Sequence, residues 1–279
     1  MRTGGSLPTA MAERIRPASR RLSWLMTRAS AGALKVPEIT LLFWVVKLLS
    51  TAMGEATSDY FVFQINPYVA VMLGCVGLAV ALVLQLRSRR YGPWTYWFAV
   101  VMVAVFGTMA ADVLHVELHI PYVATTIAFS AALAAVFVLW YSSERTLSIH
   151  TIYSGRRELF YWATVIATFA LGTAAGDMTA ATFHLGYLAS LLVFAGLFLL
   201  PGIGYWRFGL NPIFGFWFAY VMTRPLGASF ADWMGKPYLG GLGLGDGRIA
   251  GVLTVMIVVL VGYLAASPTK VGKQAAGSH

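Results

Sequence analysis

Apolar residues run almost unbroken through eight stretches, near residues 38–60, 67–86, 94–114, 121–141, 159–180, 184–202, 212–231 and 249–266. Each is about as long as the roughly 20 helical residues needed to cross a hydrocarbon core of about 30 Å. The runs are continuous rather than alternating, which predicts helices and argues against a barrel of short strands. Polar positions interrupt them in a recurring order. A tryptophan is followed ten residues later by a glycine and five after that by an aspartate: Trp44, Gly54, Asp59; Trp97, Gly107, Asp112; Trp162, Gly172, Asp177; Trp217, Gly227, Asp232. An aromatic residue precedes each tryptophan: Phe43, Tyr96, Tyr161 and Phe216. A period of 53 to 65 residues predicts a repeated two-helix unit. The expected fold is an all-α integral membrane protein with eight transmembrane helices in four two-helix repeats. The repeats cover about 35–90, 91–150, 151–207 and 208–266, between a basic tail at 1–34 and a short tail at 267–279.

Composition makes lipid the main solvent. The chain is 58% hydrophobic and 11% charged, with a mean hydropathy of +0.72. A soluble domain of 279 residues could not hide that much apolar surface. Sixteen of the 20 Lys and Arg residues fall before the first stretch or in the connections after the second, fourth, sixth and eighth. The opposite connections hold only Lys236 and Arg248, so both termini are expected in the cytoplasm. The net charge of +9 is therefore a topology signal, and its dispersal over short loops excludes a nucleic-acid reading. The single cysteine, Cys75, excludes an internal disulfide and a thiolate cluster.

Every repeat starts on the same side, so the four are parallel and related by rotation about the membrane normal. Their first helices could surround one axis or pair as two halves, and a homo-oligomer stays possible. Tryptophan and aspartate lie about 22 Å apart along each helix. The aromatic pair is expected at the cytoplasmic interface, the glycine at a helix contact, and the aspartate in the outer half of the bilayer.

The residue four before each aspartate shares its face: Glu55, Thr108, Thr173 and Ala228. In the first helix Lys47, Thr51, Glu55 and Ser58 extend this stripe, and Arg224 takes the place of Thr51 in the fourth. One reading is a buried network in which Lys47 and Arg224 neutralise carboxylates, with Glu55 the expected partner of Lys47. Yet Glu55, Asp59, Asp112, Asp177 and Asp232 outnumber Lys47 and Arg224 by three. In low dielectric such acids must protonate, take a cation or reach water. Histidines offer one further version. His119 and His184 lie seven residues after their aspartates, and Asp112, His115 and His119 share one face if the helix continues that far. Oxygen and imidazole donors without cysteine would suit Mn, Zn, Ni or Co, with a surface histidine pair as the plainer alternative. The glycine-rich stretch Gly240 to Gly247 follows no strand, which leaves a dinucleotide fingerprint unsupported.

The stretches Val36-Pro37-Glu38-Ile39-Thr40, Gly172-Thr173-Ala174-Ala175-Gly176-Asp177 and Thr223-Arg224-Pro225-Leu226-Gly227-Ala228 resemble a family of bacterial membrane proteins. That family has four tandem repeats, each with two membrane spans and a tryptophan, and is labelled a membrane-anchored protein of unknown function. The resemblance implies eight spans and a bacterial inner membrane, and brings no activity. From the residues, the leading expectation is a transporter or channel for a small cation, with a divalent metal ion or protons as cargo. A membrane-embedded enzyme and a packing or sensor protein remain the alternatives.

Overall fold

A computed structural model describes residues 34–267 apart from 117 and 154, so the two expected tails lie outside the described residues. Eight long helices account for most of them: α1 (Leu41–Gln64), α2 (Pro67–Arg87), α3 (Pro93–Val116), α4 (Tyr122–Glu144), α5 (Arg156–Asp177), α6 (Gly186–Phe208), α7 (Pro212–Gly235) and α8 (Asp246–Ala266). Local sequence sets several boundaries. The Thr40 hydroxyl accepts from the Phe43 amide to start α1. Asn-Pro pairs start α2 and α7, with the Asn66 and Asn211 side chains capping free amides while proline occupies the first turn. Gly209, at a φ of 65°, closes α6. A single wide turn, Met178–Thr182, continues α5 past Asp177.

The first helices of the repeats pack side by side in a closed ring, α1 to α3 to α5 to α7 and back to α1. The second helices form an outer layer, and each packs mainly on the first helix of the following repeat. Thus α2 lies on α3, α4 on α5, α6 on α7, and α8 returns to α1. Closure therefore joins the last helix to the first.

Six helices are long and apolar enough to cross a membrane: α2, α3, α4, α5 with its wide turn, α6 and α8. The other two, α1 and α7, carry Lys47, Glu55, Asp59, Arg224 and Asp232. Both are enclosed by neighbours over much of their length. The outer helices bury only a narrow stripe, as with Ile249, Leu253, Ile257 and Val261 of α8. Their remaining faces expose Met72, Val76, Val80, Val255 and Val259, among others. Apolar surface of that extent suits lipid.

The recurring tryptophan and glycine now have a shared explanation. The aromatic residue of each repeat meets the tryptophan of the next: Phe43 with Trp97 at 5.7 Å, Tyr96 with Trp162 at 5.8 Å, Tyr161 with Trp217 at 6.1 Å, and Phe216 with Trp44 at 5.7 Å between ring centroids. These eight rings close one end of the ring of helices. Trp97, Trp162 and Trp217 are buried within it, which corrects their expected role as interfacial anchors. Each finds an aromatic partner on the adjacent helix, so the protein interior takes the place of the headgroup region.

Each glycine likewise faces the residue eight before the aspartate of the next repeat: Gly54 faces Ala104, Gly107 Phe169, Gly172 Arg224, and Gly227 Thr51. A Cβ on Gly54 would collide with the Ala104 side chain and lie 2.9 Å from its carbonyl carbon. Glycine is required there because two backbones meet. Gly54→Ala should therefore lose about 1–3 kcal/mol by overpacking. Gly196→Ala on outer helix α6, where a Cβ would meet nothing within 4 Å, should lose none. Thermal unfolding of both variants in detergent checks this, and equal stability would remove the close-approach argument.

Candidate functional site

The ring is filled by successive levels of side chains, one helical turn apart. Beyond the aromatic closure, Lys47 of α1 lies with its Nζ 4.0 Å from the Phe169 ring centroid and 4.4 Å from that of Tyr220. It makes no ion pair or hydrogen bond among the described residues. Lys47 is therefore not the expected partner of Glu55, which lies two turns, or about 12 Å, further along the same helix. Two aromatic faces flank its Nζ instead.

The next level is organised by Arg224 of α7, which is 1% exposed. Its Nη2 donates to Glu55 Oε2 of α1 at 2.5 Å, to Thr173 Oγ1 of α5 at 2.6 Å, and to Thr108 Oγ1 of α3. Its Nη1 donates to the Thr51 carbonyl at 3.1 Å. Thr108 also donates to Glu55 Oε2 at 3.0 Å. One guanidinium thus gathers the polar residues four before the aspartate in repeats 1, 2 and 3. In repeat 4 that position is Ala228, and the arginine reaches the level from a turn earlier.

One turn further lie the aspartates. Asp59 Oδ2 and Asp232 Oδ1 share the Lys236 ammonium at 2.9 and 2.8 Å. Lys236 follows α7 directly, four residues after Asp232, and that spacing was the sequence signal for a pairing that topology counting alone overlooked. Burial opposes its charge, but Asp232, Asp59 and Glu55 outweigh burial and hold Lys236 well above the usual lysine range. It is a fixed cation near neutral pH. Asp112 and Asp177 are half-buried and make no ion pair or side-chain hydrogen bond among the described residues. Both remain within electrostatic reach of Asp59 and Glu55, so all four aspartates act on one region.

His115 lies on α3 three residues after Asp112. His115 Nδ1 is 3.0 Å from the Ile120 carbonyl, and its ring stacks on Tyr122 at 3.6 Å. His119 and His184 are exposed, each with a left-handed backbone at a φ of 54° and 57°. Among the described residues, the one grouping of three ligand atoms within 4.8 Å of one another is Glu55, Asp59 and Asp232, without histidine. The helix α3 ends at Val116, so His119 lies in the loop before Pro121 and off the helical face it was expected to share with Asp112.

A second buried pair lies near the aromatic end. Lys35 Nζ binds Glu158 Oε2 at 2.5 Å and the Leu86 carbonyl at 3.0 Å. Gln85 adds a bond to the Lys35 carbonyl at 3.3 Å, joining the segment before α1 to α2 and α5. Two grooves of about 670 and 570 Å³ open on the outer surface beside Trp217 and Trp44, and neither is lined by the acids.

The family described as Repeat of Unknown Function (DUF347) matches four segments, residues 42–91, 95–146, 160–210 and 215–269. No curated protein and no solved structure matches the chain.

Removing Arg224 would leave the Glu55 carboxylate buried and unpaired. Arg224→Ala should lose about 3–5 kcal/mol, and Thr173→Val nearer 1 kcal/mol. Thermal unfolding in detergent reads both, and a fully stable Arg224→Ala protein would dismiss the hub.

Proposed function

The chain belongs to the DUF347 repeat family, and we propose that it is a membrane transport protein moving a cation through its aspartate level. In this reading all eight helices span a bacterial inner membrane, in four parallel-oriented repeats with both termini in the cytoplasm. The polar α1 and α7 cross inside the ring, screened from lipid by their neighbours. The observation that carries the reading is the pair Asp112 and Asp177. They share a region with Glu55, Asp59 and Asp232, yet no protein cation binds them among the described residues. Five acids face Lys47, Arg224 and Lys236, which leaves two formal negative charges for a proton or metal cation to balance. Carboxylate oxygens favour a hard divalent ion, and binding must compete with protons.

A structural or sensory role is the second reading, favoured by the hydrogen bonds that Arg224 Nη1 and Nη2 make to three other helices. Flux separates the two. Proteoliposomes of the full chain should accumulate or release one member of a panel of Mn, Zn, Co, Ni and Mg ions and protons. Asp112→Asn/Asp177→Asn should reduce that flux at least tenfold while inserting and folding normally, because the amide keeps shape and removes charge. Metal affinity should fall as pH drops through the carboxylate range. Wild-type flux in the double variant, or no flux of any cation, returns the acids to the structural reading.

A further inference from the structure

We propose that Lys236 is a tethered cation seated in a divalent-ion position formed by Glu55, Asp59 and Asp232, and that a soluble ion loads when the ammonium swings out. Its role as a gate rests on the transport reading. The geometry behind it does not.

Three buried carboxylates bring oxygens within 4.8 Å of one another. Such a group needs positive charge among its oxygens. Part of that charge is already supplied by the protein, since Arg224 Nη2 binds Glu55 at 2.5 Å and Lys236 Nζ contacts Asp59 at 2.9 Å and Asp232 at 2.8 Å. Positions matching Lys236 in the other repeats are Phe63, Val116 and Ala181, so this cation is particular to repeat 4. An all-oxygen donor set is that of Mg, Mn or Ca rather than of a soft metal.

Lys236 is also built to move at its tip while its backbone stays fixed. The Lys236 amide donates to the Asp232 carbonyl at 2.9 Å, and its own carbonyl accepts from Gly243 at 3.1 Å. Leu242, Leu244 and Gly245 donate to Trp233, Met234 and Gly235 at 2.7, 3.0 and 3.0 Å, folding the glycine-rich loop back on the end of α7. A Cβ on Gly241 would strike the Lys236 carbonyl, so glycine permits this fold-back. The side chain has a flexible four-carbon stem and is 13% exposed, against 1% for Arg224. The Tyr187 ring, 5.7 Å from Nζ, offers a displaced ammonium an aromatic face.

The test uses the purified full-length protein in detergent and Mn ions alone, with free Mn counted by electron paramagnetic resonance. Lys236→Met and Lys236→Gln should each bind Mn at least tenfold more tightly than wild type, while Lys236→Arg should not. Adding Asp59→Asn or Asp232→Asn to Lys236→Met should abolish the gain and so locate it. Folded Met and Gln variants without tighter binding overturn the proposal. Should neither variant fold, acylation of Lys236 in wild type, read by mass spectrometry, decides. Mn should raise its rate several-fold, and an unchanged rate overturns the idea. A wild-type protein that moves no cation, combined with a gain in Lys236→Met, would end the transport reading and leave the tethered cation standing. Flux in wild type without any gain would do the reverse.

Discussion

A guanidinium at 1% exposure is tolerated only if most of its donors are met, and for Arg224 the Nη1 and Nη2 groups are met by three other helices, while Nε has no hydrogen-bond partner among the described residues. That requirement sets the register of the ring. Glu55, Thr108 and Thr173 must stand at one height for a single side chain to reach them, and equal spacing from each tryptophan brings this about. The aromatic pairs below and the glycine contacts between repeat the same relation from helix to helix. A shift of one helix by a turn would break contacts at three levels together. The fixed distance from Trp to Asp is thus first a packing rule, and its chemical consequence is that four carboxylates arrive at one height.

Closure follows from the outer layer. A hairpin whose helices packed chiefly on each other would leave four separable units. Here each second helix covers the first helix of the next unit, and α8 covers α1. Every repeat therefore depends on its neighbour, including the pair formed by the two ends of the chain. The arrangement also accounts for composition. Outer helices meet lipid and are apolar nearly all round, whereas the ring can carry charge because its polar faces turn toward the axis.

Helix positions and the repeat were legible because hydrophobic run length and the Trp–Gly–Asp spacing are local properties of the chain. The stripe of Glu55, Thr108 and Thr173 was equally visible. What spacing along one helix could not reveal was which neighbour each helix would meet. Lys47 and Glu55 share a face of α1, but the acid is met by an arginine from α7, and that depends on ring order. Burial of the tryptophans escaped for the same reason, since an amphipathic ring suits both a headgroup region and an aromatic neighbour. The position of His119 differs for another reason. Sharing the face of Asp112 and His115 required α3 to continue as far as residue 119, and it ends at Val116 ahead of Pro121.

The charges themselves are unevenly placed around the ring. Arg224 and Lys236 both belong to repeat 4, and the acids they bind, Glu55, Asp59 and Asp232, belong to repeats 1 and 4. Both cations therefore lie at the junction where the chain closes on itself. Four equivalent aspartates around an axis would repel one another with no preferred relief, because symmetry offers each the same surroundings. Placing both cations in one sector removes that degeneracy. The closing junction becomes the side where protein cations offset most of the acid charge, while Asp112 and Asp177 of repeats 2 and 3 keep carboxylates without an ion pair among the described residues. Asymmetry in a nearly fourfold frame thus stabilises the fold on one side and leaves charge to be balanced on the other.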